Sequence, residues 1–176
     1  QLDSDLTDRM YARWYWDSTP TIGGTDQPLV VAYAKEDTNI GCYLTLKKSA
    51  AGCYTYRTYY HGAGTADVDF GEFAAGSGSS CVTSLAGKAV AFGQITTATT
   101  VACPLYVDGR LVQDYALAIT SDCSGSSCDL STVVLGSPAT SSVSGYTAFP
   151  SYTLDIDDLV IDNLDAPGVG YVYPLY

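Results

Sequence analysis

Three kinds of residue in this chain could do chemistry: acids in a cluster, a lone histidine, and tyrosines alternating with arginine. "DVD" (67–69) puts Asp67 and Asp69 on one strand face, and Glu72 follows after Gly71. A glycosidase works with two carboxylates at a set separation, one of them with a raised pKa. The chain has only two glutamates, Glu36 and Glu72, well apart in sequence, so the acidic stretch reads as a solvated edge. His61, the single histidine, ends "YTYRTYYH". A Ser-His-Asp triad would rest on it, yet no serine has a nucleophile-elbow sequence around it. An exposed strand-end residue is the plainer reading.

The tyrosines carry more. In "MYARWYWDS" (10–18), alternation puts Met10, Ala12, Trp14 and Trp16 on one face and Tyr11, Arg13 and Tyr15 on the other. In "CYTYRTYYH" (53–61), Tyr54, Tyr56 and Tyr60 fall opposite Arg57 and Tyr59. Flat apolar rings with polar edges suit sugars. Tyr11, Arg13, Tyr15, Arg57, Tyr59 and His61 are therefore the candidate carbohydrate-binding residues, with Trp14 and Trp16 assigned to the core. The competing reading is ordinary sandwich packing with wet hydroxyls, and 15 tyrosines are enough for both roles.

The elements that must position them are strands. Helical periodicity is almost absent. "PLVVAYAK" (28–35), "CYLTLKK" (42–48), "ADVDFGEF" (66–73), "GKAVAFGQITT" (87–97), "CPLYVDGRLVQDYALAI" (103–119), "STVVLGS" (131–137) and "YTLDIDDLVIDN" (152–163) continue the pattern. In "LYVDGRLVQD" (105–114), Asp108-Gly109 is a strong hairpin signal, because a type I′ turn needs positive φ at both central residues. Roughly ten short strands joined by Gly, Ser and Thr turns predict an all-β antiparallel sandwich or barrel.

At 176 residues, 1–176 is expected to form one domain with a real core. No run of about 20 apolar residues predicts a membrane span, and the absence of a leader-like start suggests a mature chain. The net charge of −11 argues against nucleic acid as a partner and weakens any reading with a polyanionic glycan. Lys35, Lys47, Lys48 and Lys88 are scattered, with no basic patch.

The cysteines are Cys42, Cys53, Cys81, Cys103, Cys123 and Cys128. None sits in a CxxC, so zinc is not expected. An even count without metal spacing predicts three disulfides and a secreted, extracellular or cell-surface protein. Local geometry favours Cys42 with Cys53 across a hairpin and Cys123 with Cys128 around "SGSS", leaving Cys81 with Cys103. Other connectivities stay open.

"LYVDGRLV" (105–112), "TVVLGS" (132–137) and "YTLDIDDLVIDNLDAP" (152–167), in that order, resemble the concanavalin A-like lectin/glucanase superfamily, close in style to laminin-G-like modules. The resemblance covers about the last half of the chain. It implies a disulfide-stapled jelly roll with sugar bound on a concave face. It also implies a structural Ca²⁺, with Asp157 at the matching position and Asp155 on the same face. The superfamily's glucanases carry a Glu-x-Asp-x-x-Glu strand that is absent here. "GQIT" (93–96) is similar to the Gln-Ile-His strand of alginate-lyase-like jelly rolls, but Thr96 replaces the histidine.

The leading expectation is a non-catalytic module that binds carbohydrate. The alternative rests on "GVGYVYPLY" (168–176), an apolar C-terminal tail that could complete its own sheet or add to a neighbour's edge, making a self-assembling filament or coat subunit. A polysaccharide lyase or glycoside hydrolase ranks third.

Overall fold

The structure is a computed structural model that describes residues 9–22, 27–34, 41–61, 68–76, 80–97, 100–118, 130–136 and 154–162. Every regular element among them is a strand: β1 (Arg9–Trp16), β2 (Gln27–Ala34), β3 (Gly41–Lys48), β4 (Tyr54–His61), β5 (Val68–Ala74), β6 (Ala89–Thr96), β7 (Thr100–Ala102), β8 (Leu105–Val107), β9 (Arg110–Gln113), β10 (Ala116–Ala118), β11 (Leu130–Leu135) and β12 (Ile156–Asp162). No helix among the described residues is long and apolar enough to cross a membrane.

The strands form two antiparallel sheets. One has five strands in the order β11-β2-β3-β4-β5. The other has seven, with β10-β7-β6-β1-β12 in line and the β8–β9 hairpin attached to β6. The expected all-β antiparallel sandwich is what the chain forms.

Local sequence explains the pieces. Asp108 and Gly109 have φ of 49° and 75°, the pair of positive values that a type I′ turn requires. Asp108 anchors the turn: its carboxylate accepts from the Ala89 amide at 3.1 Å and from Lys88 Nζ at 2.9 Å. β4 alternates as expected, and so does β1 except at Tyr11, which is buried on the outer side. Ala12, Trp14 and Trp16 of β1 and Tyr54, Tyr56 and Tyr60 of β4 share one core with Leu44, Leu46, Val90, Phe92, Leu105 and Val107. β7 lacks a strong strand signal of its own. Its register comes from the reversal at Thr97, whose amide donates to the Thr100 carbonyl at 2.8 Å, and from pairing of Ile95 with Ala102.

The expected Cys42–Cys53 and Cys81–Cys103 pairings are overturned. The bonds are Cys42–Cys103 and Cys53–Cys81. The register explains why: Cys42 pairs with Tyr60, whereas Lys48 pairs with Tyr54, so Cys42 and Cys53 sit at opposite ends of the β3–β4 hairpin. Cys42 points into the core and reaches Cys103, between β7 and β8, tying the two sheets together. Cys53 joins Cys81 ahead of β6. Cys123, Cys128 and the tail 168–176 lie outside the described residues.

Candidate functional site

The side of β4 that faces away from the core carries Thr55, Arg57, Tyr59 and His61, all half-buried. The antiparallel register sets their neighbours. On β3, Thr45 lies opposite Arg57 and Tyr43 opposite Tyr59. On β5, Glu72 lies opposite Arg57 and Asp69 opposite Tyr59.

Arg57 is the hub. Its Nε donates to Asp69 Oδ1 and Oδ2 at 3.2 and 3.1 Å, and a terminal nitrogen donates to Oδ2 as well. A second terminal nitrogen approaches Glu72 Oε1 at 3.8 Å, and Lys47 Nζ meets the same oxygen at 3.0 Å. The guanidinium carbon lies 5.1 Å from the centre of the Tyr59 ring, a cation–π distance. Asp69 also accepts from the Gly71 amide at 2.8 Å. Gly71, at φ of 103°, sits where β5 slips register against β4. The Arg57 hydrogen bond, with help from the Gly71 amide, holds the Asp69 carboxyl below the usual carboxylate range despite partial burial. Two cations, Lys47 and Arg57, face two anions, Asp69 and Glu72. The cluster carries no net charge. His61 stands edge-on to the buried Tyr43 ring, with centroids 6.2 Å apart.

The second predicted row behaves differently. Tyr11, Arg13 and Tyr15 lie on the side of β1 opposite Trp14 and Trp16, on the outside of the seven-stranded sheet. Tyr11 is only 4% exposed. Its ring lies on Gly93 so closely that a Cβ there would come within 2.4 Å of it, and Tyr106 packs edge-on at 6.5 Å. Tyr11 therefore serves packing and offers no ring face to a ligand. Arg13 and Tyr15 stay half-buried. Because the core lies between the sheets, this row and the Arg57–Tyr59–His61 row face opposite sides of the sandwich. The six residues form two faces, not one.

Asp155 and Asp157 are exposed beside a bulge at Asp158, whose φ is 52° and whose amide donates to the Asp157 carboxylate at 2.8 Å. No group of three or more His, Cys, Asp or Glu suited to a metal occurs among the described residues.

A groove of about 400 Å³ opens where edge strand β5 meets the end of β9 and the turn into β10. Val68, Asp69, Phe70 and Phe73 line one side, and Val112, Gln113, Asp114 and Tyr115 the other. Phe70 and Tyr115 pack with ring centroids 5.9 Å apart. Asp69 belongs to both the groove and the Arg57 cluster, so the two are continuous.

Comparison with known proteins adds little. No protein-family model matches the chain, and no curated protein matches it. Among solved structures, the crystal structure of Scytalido-glutamic peptidase with a peptide-based transition-state analog aligns with a TM-score of 0.41 and 13% identity, covering 88% of this chain and 68% of that one. A likeness at that level supports no conclusion about what this chain does.

The sequence put Arg57, Tyr59 and His61 on one side of β4 and Asp69 and Glu72 on a solvated edge, and both acids are indeed exposed on edge strand β5; what it did not show is their pairing with Arg57. A spacing signal exists in hindsight: two acids three residues apart, on a strand next to one that exposes arginine. The groove had no such signal. Nothing local to 68–73 or to 112–115 says that they meet.

Proposed function

We propose that this protein is a non-catalytic, extracellular, concanavalin A-like module that binds neutral carbohydrate on the outer face of its five-stranded sheet. The observation that carries the reading is the Arg57 guanidinium, stacked at Tyr59 and held in place by Asp69. Sugars present C–H faces to aromatic rings and adjacent hydroxyls to planar donors and acceptors. Side chains fixed in advance lose little freedom when they bind such a ligand. Charge balance within the cluster favours a neutral sugar over a uronate.

Asp69 does not suit the acid role of a glycosidase. A glycosidase acid needs a raised pKa, and the Arg57 hydrogen bond shifts Asp69 the other way. The two disulfides support an oxidising, extracellular setting.

The test is calorimetric titration of the full chain with neutral oligosaccharides built from glucose, galactose, mannose or N-acetylhexosamines, with and without Arg57→Ala. Saturable binding that the substitution weakens supports the reading. Binding that ignores Arg57, or no binding to any of them, overturns it.

A further inference from the structure

Among the described residues two glutamines are buried, and they differ. Gln94 is fully engaged: its Oε1 accepts from the Cys42 amide at 2.8 Å and its Nε2 donates to Thr96 Oγ1 at 3.1 Å. Gln113, only 6% exposed, has no hydrogen-bond partner for either Nε2 or Oε1. Buried amides are almost always paired, so a donor and an acceptor left open together ask for an explanation. Gln113 lines the groove at the edge of the sandwich.

Building on the carbohydrate reading above, we propose that this groove is a subsite for the acetamido group of an N-acetylhexosamine residue, recognised by the Gln113 side-chain amide. A secondary amide is the complement of a primary one: its carbonyl accepts from Nε2 and its N–H donates to Oε1. The acetamido methyl group then meets Val112 and Phe73, and the sugar ring meets Phe70 and Tyr115. Asp69 and Asp114 supply acceptors for hydroxyls. None of the described residues lining the groove is a cation, which disfavours uronates and sulfated sugars. The volume, about 400 Å³, lies in the range that holds small ligands. The Gln113 amide is closed off from solvent, so the groove wall must shift to admit the ligand.

The subsite lies beside the Arg57 cluster through Asp69. A chain of sugars can thus stack at Tyr59 while one N-acetylated unit enters the groove.

The experiment titrates the full chain, wild type and Gln113→Leu, with equal-length oligomers of N-acetylglucosamine, N-acetylgalactosamine, glucosamine and glucose, and with an uncharged Gly/Ser peptide. The expected result is at least about tenfold tighter binding of one N-acetylated oligomer than of the glucose and glucosamine oligomers, with that preference lost in Gln113→Leu. The melting temperature of Gln113→Leu should equal or exceed that of the wild type, since the leucine leaves no polar group unpaired. Equal binding of acetylated and plain oligomers, sensitive to Arg57→Ala but not to Gln113→Leu, overturns the subsite and leaves the carbohydrate face standing. Failure of every oligomer to bind overturns both. Gln113-dependent binding of the peptide alone reassigns the groove to polypeptide and overturns the sugar assignment. A lower melting temperature in Gln113→Leu means that the amide has a structural partner, which removes the basis of the proposal.

Discussion

The indole Nε1–H of Trp16 donates a 2.8 Å hydrogen bond to the hydroxyl of Tyr56, 40 residues away in the opposite sheet. Both side chains are fully buried. Burial raises the Tyr56 pKa above the ordinary tyrosine value, so the hydroxyl stays neutral. Tyr56→Phe would keep the ring and strand the indole N–H. The expected cost is about 1–3 kcal/mol in unfolding free energy, read from urea melts followed by tryptophan fluorescence.

The Arg57–Asp69 pair makes stability depend on acid. The folded-state pKa of Asp69 lies below its unfolded value, so the pair's contribution is complete above about pH 4 and fades as pH falls through the lowered folded-state value. Asp69→Asn should flatten the fall of melting temperature between neutral pH and the acid range. The pair is partly exposed, so the effect should be small and should shrink in high salt. Thermal melts across pH in low and high salt check both points, and an unchanged acid slope in Asp69→Asn would count against the assignment.

Tyrosines on the two outer faces should respond in different ways. Tyr59→Ala is expected to weaken glycan binding by roughly tenfold, about 1–2 kcal/mol, with little change in melting temperature. Tyr11→Ala should do the reverse, because its ring is buried on Gly93. That loss should be about 3 kcal/mol of stability with binding intact where the protein stays folded. Calorimetry and denaturant melts on the same samples separate the two effects.

The disulfides can be ranked by the loops they close. Cys42–Cys103 spans 61 residues and Cys53–Cys81 spans 28. Loop entropy puts both near 4 kcal/mol, the longer one slightly higher. The first also joins the two sheets. The paired substitution Cys42→Ala with Cys103→Ala should therefore cost more than Cys53→Ala with Cys81→Ala. Urea midpoints of the two double variants, compared under oxidising conditions, decide the order.

Only local features were legible from the residues alone. The period of two in 10–16 and 54–61 told which residues of β1 and β4 enter the core, because successive side chains of a strand must point to opposite faces. Asp108-Gly109 told where the chain reverses, because few residue pairs tolerate positive φ twice. Tertiary structure decided the rest. Alternation distinguishes inside from outside but not one sheet from another, so it could not show that the Tyr11 and Arg57 rows lie on opposite sides. Cysteine spacing suggested neighbours along the chain, whereas the register placed Cys42 and Cys53 at opposite ends of one hairpin. The groove that gathers Phe70, Gln113 and Tyr115 exists because an edge strand of one sheet meets the end of a hairpin from the other. Contacts of that kind depend on strand order, and strand order is settled by how the two apolar faces pack against each other.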